Sequence, residues 1–291
     1  MTVNPQGSRR RESLSRATLM VAAALLCSAS ELDGANLYWD TDTSVAGTGG
    51  SGVWSNETAS NWSTVPTGDS AANAGVFTSA DVAYFTGSAD VVTLGEPIVI
   101  GGLDFGVTGY QLAGSTLTLA GGSPSVRVGY GMIATLGSQL SGTNGFTLSG
   151  GGALRLSNAA NDLSGLIRVS NGLLVVGSAA ALGQGTEAIV VAANNLVPQN
   201  GSLLGLTGGS LVLDGSAGGF VVARDINFEG RGPIGERGSA VVSFGNNTLS
   251  GALVAGFSEL SPATFRNSRI NSVNGTLTLS GSLVSQGTAA S

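Results

Sequence analysis

Three stretches of this chain repeat almost the same words. Ser115-Thr116-Leu117-Thr118-Leu119-Ala120-Gly121, Gly209-Ser210-Leu211-Val212-Leu213-Asp214-Gly215 and Gly275-Thr276-Leu277-Thr278-Leu279-Ser280-Gly281 each set two apolar residues two apart and close on small turn formers. Gly152-Ala153-Leu154-Arg155-Leu156-Ser157 and Gly172-Leu173-Leu174-Val175-Val176-Gly177 are looser copies. A second unit recurs as Asn161-Asp162-Leu163-Ser164-Gly165 and Asn247-Thr248-Leu249-Ser250-Gly251. Alternation with a period of two puts the apolar pair on one side of a short strand. One such strand cannot bury its pair alone, so it must stack on copies of itself.

Asn-Gly pairs at Asn144, Asn171, Asn200 and Asn274 would serve hairpins or the corners of a coil equally well, since both residues accept left-handed backbone. The repetition favours the coil. The expectation is an all-β chain, a right-handed parallel β-helix (solenoid) with three short strands per turn. At roughly 20 residues per turn it makes about 10 to 13 turns, each rising about 4.8 Å. Helix signals are scarce; Ser178 to Gly183 reads as a single turn.

Composition agrees with this architecture. Glycine supplies 47 of 291 residues, only 10% are charged, and 42% are hydrophobic. Corners consume glycine, and a stacked ladder satisfies its backbone without charge. The 12 basic residues are all Arg, and there is no His. Without Lys or His the chain has no Ser-His-Asp or Cys-His nucleophile, no Lys Schiff base, no Walker-type phosphate loop and no His-ligated zinc. A net charge of -6 argues against nucleic acid and anionic membranes as partners.

Arg9, Arg10, Arg11 and Arg16 precede an apolar run from Ala17 to Cys27 that ends in Ser28, Ala29 and Ser30. This is the pattern of a secretory signal peptide, residues 1–29, and the run is short of the ~20 residues a membrane-spanning helix needs. Its removal takes the single Cys with it, leaving a chain that holds together by packing and hydrogen bonds. Residues 30–88 then read as a Trp-rich amino-terminal cap with the first coils, and residues 89–291 as the β-helix repeat region, which is either a fragment truncated at its carboxy-terminal end, a released protein or one held at the surface by another chain.

From Gly145 to Gly183 the motifs follow one another as Gly145-Phe146-Thr147-Leu148-Ser149-Gly150, Asn161-Asp162-Leu163-Ser164-Gly165, Asn171-Gly172-Leu173-Leu174-Val175-Val176-Gly177 and Ala181-Leu182-Gly183. This stretch resembles the autotransporter-associated β-strand repeat, a passenger module of exported bacterial surface proteins. Gly230 to Gly235, Asn246 to Gly251 and Gly275 to Gly281 are similar to the coils that follow in that family. Tyr38-Trp39-Asp40, Gly52-Val53-Trp54 and Asn61-Trp62 resemble its amino-terminal segment. The resemblance implies a β-helical passenger at the bacterial outer envelope, at the cell surface or released, without chemistry of its own. It also implies a translocator or anchor outside this sequence, since no aromatic follows Phe265 where a membrane barrel would need girdles.

Candidate sites are few. Trp39, Trp54 and Trp62 fall close together, with Tyr38 beside them. They read first as a seal over the first rung and second as a platform on which sugar rings stack, a possible carbohydrate-binding site. Gly47 to Gly52 fits G-x-G-x-x-G as a string, but Val53-Trp54-Ser55-Asn56 carries no helical pattern, so it reads as a turn. Arg224-Asp225 reads as a corner or exposed pair, and Glu229, Arg231, Glu236 and Arg237 as a solvated loop around Pro233. Asp40 and Asp42 lack the calcium-repeat pattern. No catalytic, cofactor-binding or metal residue is expected, and no cofactor. The functional expectation is a non-enzymatic adhesive or structural passenger whose partners are surface polysaccharide or other cells. The alternative is a β-helical carbohydrate-active enzyme or carbohydrate-binding module.

Overall fold

One turn shows how the motif folds. Gly102–Phe105, Gln111–Gly114 and Leu117–Leu119 are consecutive strands that lie in three different sheets. Each pairs in parallel with its equivalents one turn before and one turn after. Leu103, Phe105, Leu112, Leu117 and Leu119 point inward and are buried, and Asp104, Gln111 and Thr118 alternate outward.

The computed structural model describes residues 34–56, 61–69, 77–192, 208–230, 232–233, 238–256 and 268–285, where this turn repeats into a parallel β-helix. Residues 1–29, expected to be a signal peptide, lie outside them. The first face is an eleven-stranded sheet that includes Asn36–Trp39 and ends at Leu283–Ser285. The second has nine strands, from Gly52–Trp54 to Ile270–Asn274. The third is split into four strands, Ile98–Ile100 to Asp162–Leu163, and three, Val221–Val222 to Leu277–Leu279. One pairing is antiparallel, that of Trp62–Ser63 with Asn36–Trp39. No described sheet closes into a barrel, and no described helix is long and apolar enough to cross a membrane.

Ten parallel strands stack in the first face, the low end of the expected number of turns. The reason is uneven turn length. Register partners are 20 to 23 residues apart from Val82 to Val191, then 37 apart from Ile189 to Ile226, 27 to Leu253 and 30 to Leu283. The parallel register of the first face continues through these longer turns.

The Asn-Gly pairs at Asn144, Asn171 and Asn274 are corners, and their glycines have φ of 65°, 108° and 70°. At Gly145 a Cβ would also lie 1.8 Å from the Leu166 carbonyl oxygen of the next turn, so the position needs glycine twice over. Asn200-Gly201 lies outside the described residues.

The second repeated unit has a structural logic of its own. Asn161 and Asn247 are both buried at the start of third-face strands. Asn161 Oδ1 accepts from the Leu140 N–H at 2.8 Å, and its Nδ2 donates to the Ala181 carbonyl at 2.8 Å. Asn247 accepts from the Phe220 N–H at 3.2 Å and donates to the Phe244 carbonyl and Ser243 Oγ, both at 2.9 Å. Each Asn is an internal clamp between turns, and its polar atoms are satisfied where burial demands it.

Ser178 to Gly183 forms the expected single turn, a 3-10 helix at Ala179–Leu182 capped by Ser178. It stands where a third-face strand would be, which is why that face is split. The stretch around Pro233 departs from expectation: Glu229, Gly232, Ser239 and Ala240 are buried. Ser210 Oγ bonds the Ser239 carbonyl. Gly209–Gly215 carries Val212 on its outer side, and Ser210 through Leu213 are all buried, so both sides of this strand are covered.

Candidate functional site

The three Trp come together at the first turn. Alternation along Asn36–Trp39 sends Leu37 and Trp39 inward and Tyr38 outward. Trp54 ends the first strand of the second face, and Trp62 sits in the antiparallel strand opposite Trp39. All three have 0% exposure. Trp62 lies edge-on to Trp39 at 5.1 Å and to Trp54 at 4.9 Å, with Phe77 at 4.9 Å and Phe85 at 5.9 Å. Such edge-to-face packing adds about 0.5–1.5 kcal/mol per pair beyond area burial. No indole presents a face on which a pyranose could stack; the rings fill the interior of the first turn. The candidate carbohydrate-binding residues Trp39, Trp54 and Trp62 are therefore inside the protein, a consequence of inward register.

This first turn contains strained polar chemistry. Trp39 Nε1 donates to the Gly50 carbonyl at 2.8 Å, but Trp54 Nε1, Trp62 Nε1 and Asp40 Oδ2 are buried without a protein partner. Burial raises the pKa of Asp40, with the Asp42 N–H bonded to its Oδ1 pulling the other way. Burial likewise pushes up the Tyr110 phenol, whose hydroxyl donates to the Thr86 carbonyl at 2.7 Å. Asp40 and Asp42 belong to no metal-holding group: among the described residues no three His, Cys, Asp or Glu gather to hold an ion.

The Gly47 to Gly52 segment is a turn that packs on the next coil. Gly49 has φ of 107°, and the Gly50 N–H donates to the Ser88 carbonyl at 2.7 Å. A strand follows, Gly52–Trp54, and no helix N-terminus is available to a phosphate.

A cleft opens where the third face is interrupted, between the 3-10 turn and Val221–Val222, lined in part by Ala179, Gln184, Thr186, Val221 and Arg224. Asp225 is exposed, as expected, and accepts from the Ala252 N–H at 2.7 Å. Arg224 is different from expectation, because it is half-buried and structural. Its guanidinium donates to the carbonyls of Leu182 at 2.9 Å, Glu187 at 2.8 Å and Gly165 at 3.1 Å, tying its turn to those before it. Burial lowers its pKa. Among the described residues Asp225 is the one carboxylate in the lining. Arg231, Glu236 and Arg237 lie outside the described residues.

Sequence reasoning passed over the outer side of the first face. Tyr38 and Tyr84, 46 residues apart, are register partners with ring centroids 4.9 Å apart. Beside them Arg127 pairs with Asp104 at 2.9 and 3.2 Å. The signal for this was the same alternation that buried Trp39, carried across one turn.

No protein-family profile and no solved structure matches the sequence significantly. One relative does, the Adhesin BmaC autotransporter of Brucella suis biovar 1 (strain 1330), and it is 38% identical over 244 residues. The match takes in 80% of this chain and 7% of the far longer relative, so the chain is related to one segment of an autotransporter adhesin.

Proposed function

We propose that this chain is part of an exported, surface-displayed bacterial passenger that works as a non-enzymatic adhesin, its turns belonging to the autotransporter-associated β-strand repeat. The observation that carries this reading is the 38% identity to an adhesin autotransporter over 244 residues. The architecture supports it. A β-helix built from turns of nearest-neighbour contacts offers broad, nearly uncharged outer faces and can fold rung by rung after export. Its interior chemistry is devoted to packing, from the Trp cluster to the Asn161 and Asn247 clamps.

Adhesion is tested by coating beads with the full chain and counting those retained on a cultured cell monolayer under flow. Retention several-fold above albumin-coated beads is expected. Retention equal to albumin overturns the adhesive reading.

A further inference from the structure

The outer side of the first face carries a built row of side chains. Register places Tyr38 beside Tyr84, Tyr84 beside Asp104, Asp104 beside Arg127 and Arg127 beside Ser149, one residue per turn. The neighbouring outward column on the same strands is Asn36, Val82, Gly102, Ser125 and Thr147. Its members are small, and Gly102 in the middle has no side chain. The larger residues therefore stand as a wall that crosses the strands beside a column of smaller ones, with about 4.8 Å between successive contacts.

The chemistry of that wall selects its occupant. Two phenol rings offer apolar surface with a polar tip. Next to them is a bonded Asp104–Arg127 pair with no net charge, in which both Asp104 oxygens accept from Arg127 and the half-exposed guanidinium keeps donors free for a ligand. These strands are paired on both sides, so no backbone edge is free to capture an extended peptide by strand addition. Asp104 in the wall, within a chain of net charge -6, disfavours a polyanion. A chain of hydroxyl groups and apolar ring faces meets every requirement. We propose that Tyr38, Tyr84, Asp104 and Arg127 form a binding site for a linear neutral glycan lying across the strands. The proposal rests on the adhesive reading and gives it a partner.

Calorimetric titration of the full chain with cellohexaose and mannohexaose, and with hexagalacturonate as the anionic comparison, tests it. Saturable binding of at least one neutral hexasaccharide is expected. Tyr84→Ala weakens it by about tenfold or more, Arg127→Ala by several-fold, and Tyr84→Phe by less than about threefold, as for a small cluster of Tyr and Arg anchors. Arg155→Ala, which breaks an ion pair on the second face, leaves binding unchanged. Unshifted Trp emission shows that each variant keeps its first turn, and the exposed Arg127 supplies a readable arm if Tyr84→Ala loosens it. Failure of both neutral sugars to bind, preference for hexagalacturonate, or full binding by Tyr84→Ala and Arg127→Ala overturns the site. Beads that adhere while the chain binds no hexasaccharide remove the glycan site and keep the adhesive reading. Beads that fail to adhere while the sugar binds as described do the reverse.

Discussion

The first turn and the turns from Gly102 to Val169 solve the same problem with different side chains. In the regular turns, rows of aliphatic residues stack at one residue per rung: Leu112, Leu136, Leu156 and Val176 on one face, Leu103, Val126, Leu148 and Val169 on another. Each rung is covered above and below by its own kind, so a short motif repeated with small errors is enough. Among the described residues the first turn has such a neighbour on one side. It fills its interior with Trp39, Trp54, Trp62, Phe77 and Phe85, adds an antiparallel strand, and leaves three buried polar atoms without partners. Repetition builds the middle of a β-helix economically, whereas its first rung needs large, unrepeated side chains and tolerates local polar cost.

The sharpest way to break this comparison is to shrink one residue in each region. Trp62→Ala empties the centre of the aromatic cluster and costs about 3–5 kcal/mol, and Leu154→Ala in a regular turn costs about 2–5 kcal/mol. The magnitudes overlap, but the shapes of unfolding should differ. In a chain of nearest-neighbour contacts, loss at the first turn frees that turn first. Emission from Trp39 and Trp54 should then shift red at a lower urea concentration than the loss of far-ultraviolet sheet signal. Leu154→Ala should bring both transitions down together. Coincident transitions in Trp62→Ala would show that the first turn is not a separable unit.

These differences also explain what the sequence made readable. The short strands, the Asn-Gly corners and the single turn at Ala179–Leu182 could be read because each depends on residues close together in the chain. Trp39, Trp54 and Trp62 were readable first as a seal over the first rung and second as a sugar-stacking platform, and the structure buries all three indoles. Turn lengths were not readable, because a longer turn leaves the ladder unchanged and carries no period. Arg224 looked like a corner charge; its role depends on the carbonyls of Gly165, Leu182 and Glu187, which converge only because the third face is interrupted beside it. The Tyr38–Tyr84 pair depends on a register across 46 residues that no local pattern encodes.

Polar groups sharpen the comparison at smaller energies. Asn161→Ala in the regular turns leaves the Leu140 N–H and the Ala181 carbonyl buried and unpaired, at a cost of about 1–3 kcal/mol. Asn161→Asp should cost at least as much, because it keeps the acceptor for Leu140 but buries a charge and sets a carboxylate oxygen against the Ala181 carbonyl. Urea midpoints for the wild type and the two variants measure this directly. Equal stability of Asn161→Ala and wild type would mean that the clamp contributes nothing beyond filling space.

In the first turn, Asp40 reverses that sign. Its Oδ1 is satisfied by the Asp42 N–H, but its Oδ2 is buried without a partner, and burial raises its pKa above the ordinary carboxylate value. A carboxyl group that holds its proton more tightly when folded binds more protons in the native state than in the unfolded one. Native stability from this group therefore falls as pH rises from the unfolded value through the raised folded value, and at neutral pH the ionised form is a net cost. Asp40→Asn keeps the acceptor at Oδ1 and removes the charge. It should raise stability at pH 7 by less than about 1 kcal/mol, because it removes the buried charge but leaves Nδ2 as unpartnered as Oδ2 was. The advantage should shrink as pH is lowered and wild-type Asp40 takes up its proton in the native state. Urea unfolding of both proteins between pH 4 and pH 7 isolates this group, because every other carboxylate is shared between them. A stability difference that stays constant across that range, or that favours Asp40 at pH 7, would show that the carboxylate is stabilised in the first turn by something other than the Asp42 N–H.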